Sequence, residues 1–309
     1  MIIYDVLKNF QRVENWELGE GQYWILADGD ELQKFETIFS LETLKECQDF
    51  NQAPKIDFYN KYFFMVINEL ERKNGEIFSK EINVYLGNNF IVTVYKEKIL
   101  ILKDLIDDIR NSRNSLILND NKQVDVILYY ILDRIIINNY NIIAELECEA
   151  DKIEIQVLRS PKASQIDDLV RLRREAYKLR KILNPLRYIG DSLIMNENNV
   201  IKTSHLNLFK NINYKTEKLM IALDNLNQDL AMVREAYEAE IANKTNELMK
   251  VFTIVTTIFL PLELITAIFS LSFDNMPLKS EKFAFYGLII FMAFLVSLMF
   301  VLFKKKKIL

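Results

Sequence analysis

One carboxylate stands in a stretch that is otherwise without charge. Residues 251–273 read VFTIVTTIFLPLELITAIFSLSF, 23 residues whose only charged side chain is Glu263. A carboxylate near the middle of a hydrocarbon layer costs on the order of 2.5–3.5 kcal/mol on insertion scales. Such a group must face protein or a water-filled lumen, and two chemistries are open to it. A ring of carboxylates contributed by several copies attracts cations. A single protonated carboxyl bonds a neighbouring helix and serves structure only. Steps of three or four residues connect Asn246, Met249, Thr253 or Phe252, Thr256, Leu260, Glu263, Ala267 and Ser270 into one helical stripe. That stripe mixes an amide, a thioether, aliphatic groups and one carboxylate.

Other reactive residue types form no constellation. Cys47 and Cys148 are the only cysteines; their spacing fits neither a metal site nor a redox pair, and two reduced, buried thiols are expected. His205 is the single histidine and receives no role. Asp224, Asp229, Glu235, Glu238 and Glu240 crowd one helical region, where a solvated face is the plainer reading and an ion-sensing role the sharper one. The chain has no P-loop, no Gly-rich dinucleotide loop and no His-based triad or metal motif. An enzyme and ATP-driven transport are therefore not expected.

The elements that must carry the stripe are two apolar helices. Residues 251–273, and residues 283–303 with no charge at all, are each long enough to cross about 30 Å of hydrocarbon. A short polar loop, 274–282, joins them. Lys304, Lys305, Lys306 and Lys307 follow the second span as a membrane anchor, and the positive-inside rule holds that end in the cytoplasm. Two spans then place the N-terminal body in the cytoplasm too. Met1-Ile-Ile-Tyr-Asp5 lacks the basic stretch and apolar core of a secretory signal.

The body reads as α+β. Residues 22–27, 63–67, 81–86 and 90–95 are short, aromatic or β-branched runs, the last two forming a hairpin across Gly87-Asn-Asn89. Asp28-Gly-Asp30 looks like a helix start. From about 103 the apolar period becomes 3.6. One helix carries Val124 through Ile136, and a second carries Leu169 to Leu183 and should end near Asn184-Pro185. A third pattern begins near His205, and neither Gly nor Pro interrupts it before Pro261. It should run unbroken into the first span, for about 100 Å at 1.5 Å per residue, a length that calls for a bundle or an oligomer.

The expected partition is a mixed subdomain at 1–102, helices at 103–250, a first span at 251–273, an extracytoplasmic loop at 274–282, a second span at 283–303 and a basic tail at 304–309. Charge is segregated along it. The chain has 309 residues and a formal net charge of −4, yet residues 251–309 alone carry +3, leaving −7 for the rest. An acidic body argues against nucleic acid as a partner.

Asn246-Glu-Leu-Met-Lys250, Leu260-Pro-Leu262, Phe273-Asp-Asn-Met-Pro277, the second span and the lysine tail together resemble the CorA family of divalent-cation transporters. Its signature reads roughly MNxxMKxLT…PLTxIxGxYGMNFxxMP. Pro54-Lys-Ile-Asp-Phe-Tyr59, Gly75-Glu-Ile-Phe-Ser-Lys-Glu81 and Asn184-Pro-Leu-Arg187 extend the likeness into the body. The chain departs from the signature where it is most specific. Ser270-Leu271-Ser272 replaces Gly-Met-Asn, Phe269 replaces Tyr, Ala267 replaces Gly, and Leu278 and Lys279 replace an acidic residue. Glu263 stands where many members have Thr.

The resemblance implies a funnel-shaped homopentamer in the cell membrane (inner or plasma), with both termini cytoplasmic and lipid and divalent cations as its other partners. The first span of each subunit would line a central channel through Asn246, Met249, Phe252, Thr256, Leu260, Glu263 and Ala267, ending in a degenerate filter at Ser270, Leu271 and Ser272. The ion is cargo, Mg²⁺ before Co²⁺, Ni²⁺ or Zn²⁺, and also a regulator sensed by the body; no cofactor is tightly bound. Flux is passive, driven by about 2.3 kcal/mol per charge per 100 mV, and Glu263 is the residue that would meet the hydrated ion. A family member that no longer conducts, acting as a regulatory or scaffold membrane protein, is the second reading.

Overall fold

A computed structural model of the chain describes residues 1–14, 16–17, 20–50, 52–271 and 283–305. The tertiary contacts divide it into two units, Met1–Arg234 and Glu235–Leu309.

The first unit begins with a mixed sheet. Among the described residues its strands are β1 (Ile2–Asp5), β2 (Gln11–Val13), β3 (Tyr23–Ala27), β4 (Lys55–Phe58), β5 (Tyr62–Lys73), β6 (Glu76–Gly87) and β7 (Phe90–Tyr95), in the order β2-β1-β3-β7-β6-β5-β4. Neighbours are antiparallel except β3 and β7, which pair in parallel from Tyr23–Phe90 to Ala27–Val94. The expected hairpin of β6 and β7 is present. The longer one, β5 with β6, turns at Asn74 and Gly75, both at positive φ (53° and 80°). Asn-Gly accepts that conformation at little cost and matches the twist of the flanking strands.

Phe63-Phe-Met-Val-Ile67 is a continuous apolar run because both faces of β5 are covered, and all five side chains are fully buried. One face packs on a cluster that includes Ile25, Leu32, Phe35, Phe39, Leu44, Phe64, Tyr85 and Val92. It is roofed by a 3₁₀ helix (Gly29–Phe35) and α1 (Leu41–Asp49). Asp28 caps the 3₁₀ helix, accepting from Gly29 N at 2.6 Å, while the Glu31 carboxylate accepts from Asp28 N at 3.1 Å. The predicted helix start is thus a 3₁₀ start. Helices α2 (Leu100–Arg110), α3 (Leu116–Asp120), α4 (Val124–Arg159) and α5 (Ala163–Met195) follow, and α4 lies on β5, β6 and β7.

Two expectations are corrected here. Helix α5 does not end at Pro185 but continues to Met195. The proline forfeits one helical hydrogen bond at about 3 kcal/mol. Beyond it, Leu186, Ile189 and Leu193 are buried; at about 1.5–3 kcal/mol each this outweighs the break. The second concerns the cysteines: Cys47 is buried, but Cys148 is exposed, on the outer side of α4.

Burial pushes the Cys47 thiol up to about 12, and its Sγ lies 3.3 Å from Tyr85 Oη. At pH 8 it is therefore almost entirely protonated and inert. Iodoacetamide should modify Cys148 first and Cys47 only after denaturation. Mass spectrometry of the folded protein showing equal labelling of both would contradict the burial.

The last element of this unit is the first part of α6 (Leu206–Ser270), which enters from a short 3₁₀ turn, Thr203–His205. Buried residues recur along it at Phe209, Ile212, Thr216, Leu219, Leu223, Leu226, Leu230 and Val233. They complete a bundle with α4 and α5. Ion pairs ring it: Lys215 with Asp133, Arg187 with Glu217 at 2.7 Å and Arg180 with Asp224 at 3.6 Å. At Gly190 a Cβ would lie 2.5 Å from Asn213 Oδ1 and 3.5 Å from Asn213 Cα, so a larger residue there would displace the Asn213 amide. His205 donates or accepts at 2.8 Å with Asp125 Oδ2, both residues buried, and Lys202 N donates to the same oxygen at 3.1 Å. Its role is structural: it ties the start of α6 to the start of α4.

The second unit holds the remainder of α6 and α7 (Ala284–Lys305). As expected, α6 is one 65-residue helix with Pro261 inside it. Most of the apolar side chains described in this unit are exposed, Phe252 and Leu260 to 64% and 66%. Surface of that kind is stable against lipid or another protein chain, not against water. By length and apolar content both helices are able to cross a membrane.

Candidate functional site

The expected stripe lies on α6 within the second unit. At about 100° per residue, Met249, Thr256, Glu263 and Ala267 fall within about 40° of one another, with Phe252, Leu260 and Asn246 to either side. All of them are exposed. Elsewhere on this stretch Ile254, Ile258, Pro261, Leu262 and Ile265 are half-covered. Their mean direction is roughly 170° from the stripe. Helix α7 has a matching half-covered stripe, Leu288, Met292, Leu295, Val296, Met299 and Phe303. This is the pattern of two helices lying side by side. The Glu263 stripe is thus turned away from the covered face.

Hydroxyl groups on this helix are spent on its own backbone. Thr253 Oγ1 donates to Met249 O at 2.7 Å, Thr256 Oγ1 to Phe252 O at 2.8 Å and Thr257 Oγ1 to Thr253 O at 2.6 Å. Thr266 Oγ1 donates to Glu263 O at 2.9 Å and Ser270 Oγ to Ala267 O at 2.8 Å. Back-bonding of this kind satisfies a hydroxyl where water is scarce. Ser270 is the last helical residue and Leu271 a bend. Ser272, the loop 274–282, the Phe273–Pro277 motif, Lys306 and Lys307 lie outside the described residues, while Lys304 and Lys305 end α7.

The acidic candidates in the body separate. Asp224 pairs with Arg180. Asp229 lies near Glu147 and Asp151 of α4: burial first, then the charges of Asp229 and Asp151, push the Glu147 carboxyl above its ordinary range. Glu235 is solvent-facing and Glu240 partly covered. Among the described residues no group of three or more His, Cys, Asp or Glu is placed to hold a metal ion. Two features are not visible in the sequence, the Asp125–His205 tie and the covered face of α6. Neither has a local signal, because each depends on a partner far along the chain.

The fold and stripe define a class: a membrane protein whose α/β body leads through long helices to two apolar helices at the end of the chain, the first bearing a polar stripe. The sequence profile of the CorA-like Mg²⁺ transporter protein family matches residues 19–305, and the chain belongs to that family, one of ion transporters rather than enzymes. It is 27% identical over 293 residues to the cobalt/magnesium transport protein CorA of Thermotoga maritima, covering 92% of this chain and 82% of that protein. It is 24% identical to the putative metal ion transporter YfjQ of Bacillus subtilis, over 98% of this chain and 95% of that one. The complete structure of the CorA magnesium transporter from Methanocaldococcus jannaschii superposes with a TM-score of 0.84 at 20% identity, covering 98% and 96% of the two chains.

Proposed function

We propose that the chain forms a homopentameric channel through which divalent cations pass down the membrane potential. Mg²⁺ is the first cargo, with Co²⁺, Ni²⁺ and Zn²⁺ as others. The observation that carries this reading is the Glu263 stripe, exposed on the side of α6 opposite its half-covered face. An isolated carboxylate in a span needs water or protein before it, and the covered face of α6 is not where it points. Five copies of the stripe around an axis supply a lumen, with Asn246, Met249, Phe252, Thr256, Leu260, Glu263 and Ala267 lining it.

In this reading each part has a task. Glu263 concentrates cations by charge without binding them dry. Leu260, Phe252 and Met249 form the narrow apolar stretches that a gate needs, since apolar constrictions close by dewetting. Ser270, Leu271 and Ser272 stand at the outer mouth. Mg²⁺ surrenders water reluctantly, so a mouth of hydroxyls and carbonyls holds it hydrated. The body, 1–102 with the helices of 103–250, senses cytoplasmic ion and moves α6. Both termini are cytoplasmic and the lysine run lies at the headgroups. The family membership and the Thermotoga and Bacillus relatives support the cargo class.

The test is flux. Purified protein in liposomes with a Mg²⁺-sensitive dye inside and an imposed negative-inside potential should admit Mg²⁺ rapidly, and cross-linking should give a ladder ending at five. No entry of Mg²⁺, Co²⁺, Ni²⁺ or Zn²⁺ from an intact oligomer would favour the regulatory or scaffold reading.

A further inference from the structure

Thr256 lies on the same face as Glu263, two turns closer to the body, with the two side chains about 20° apart around the helix. Its hydroxyl has one hydrogen and two lone pairs. That hydrogen is directed into the helix, toward Phe252 O at 2.8 Å and Thr253 O at 3.2 Å. Thr253 Oγ1, on the flank of the stripe, spends its hydrogen likewise on Met249 O at 2.7 Å. The hydroxyl oxygen of Thr256 therefore presents lone pairs to the open face of α6 and no donor. Waters bound to a cation turn their oxygens to the metal and their hydrogens outward. An acceptor-only ring is the complement of that outer surface, and it has nothing to offer an anion.

We infer that Thr256 is a specificity-determining residue, forming a second polar ring that accepts hydrogen bonds from the water shell of a divalent cation and so favours ions that keep that shell. This rests on the pore reading above. Glu263 acts at long range through charge, with no regard to hydration. Thr256 acts at contact, through the waters of an ion that keeps its shell. The flanking Phe252 and Leu260 supply no acceptor, so an ion between them depends on Thr256 for replacement of lost bulk hydrogen bonds. Mg²⁺, which holds its shell tightly, gains most; Ba²⁺, of the same charge and loosely hydrated, gains least.

The experiment compares wild type, Thr256→Val and Thr256→Ser in the same liposomes, with Mg²⁺ and Ba²⁺ as the ions and oligomer size checked for each. Valine keeps the shape and removes the oxygen; serine keeps the oxygen. The expected result is that Thr256→Val lowers Mg²⁺ entry about tenfold, the scale of one lost hydrogen bond to a charged group. Ba²⁺ entry should fall much less, so the Mg²⁺/Ba²⁺ ratio drops. Thr256→Ser should hold the ratio within about twofold of wild type. An unchanged ratio in Thr256→Val, with wild type conducting, overturns the inference and leaves the channel reading standing. A wild type that admits neither ion overturns both.

Discussion

Glu263→Gln is expected to slow Mg²⁺ entry into liposomes by at least about tenfold while leaving the oligomer intact. Glutamine keeps the volume and hydrogen-bonding reach of the side chain and removes only charge. A full charge about 6 Å from a divalent ion in a water-filled lumen alters its local concentration about tenfold. Several copies would multiply the effect, and screening and mutual repulsion would reduce it. The loss should therefore shrink as ionic strength rises, which a folding defect would not imitate. Glu263→Asp, with the charge kept, should fall between the two. Undiminished flux through Glu263→Gln would return this residue to the alternative role, a carboxyl bonded to a neighbouring helix, which an amide can imitate.

Trp24→Ala should destabilise the α/β body more than any single surface change. Trp24 is fully buried on β3, packs at 6.1 Å from the Tyr4 ring and 6.4 Å from the Phe10 ring, and donates from Nε1 to Thr93 Oγ1 at 3.2 Å. That last bond runs from β3 to β7, across the parallel pair of the sheet. Truncation removes the ring, leaves a cavity and strips Thr93 of a donor. The expected cost is about 3–5 kcal/mol. For a unit of this size that is a fall in melting temperature of about 10 °C, to be read by circular dichroism of the solubilised protein. Trp24→Phe keeps most of the ring and should lose less than half as much. A melting temperature within 2–3 °C of wild type for Trp24→Ala would mean that β3 and β7 do not depend on this contact (a shift that small is about 1 kcal/mol).

The candidate site was legible in the sequence because its signals are local. Hydropathy marks the two apolar helices, the absence of Gly and Pro before Pro261 marks the unbroken α6, and helical spacing alone puts Asn246, Met249, Thr256 and Glu263 on one face. The hairpin at Asn74-Gly75 also has a local signal, an Asn-Gly dipeptide, although charged residues flank it. Pro185 misleads for the opposite reason: its local preference is to end a helix, and burial of Leu186, Ile189 and Leu193 against α4 and α6 overrides it. Cys148 was expected inside on the strength of residue type, although its place on α4 points it outward.

By itself, then, the sequence determined the two apolar helices, the continuous helix that feeds the first of them, the solitary carboxylate, the polar stripe and the family signature. Each follows from side-chain chemistry repeated along one stretch of chain, where a period of 3.6 or a run of apolar residues carries the whole message. The tertiary structure alone decided which strands are neighbours, that β3 and β7 run parallel, that Asp125 meets His205 from 80 positions away, and which face of α6 is half-covered. Those depend on pairings between distant segments, and a one-dimensional pattern records that a face is apolar without recording what covers it. The same distinction separates the two faces of α6: spacing assembled the Glu263 stripe, but only packing showed that it is the side left open.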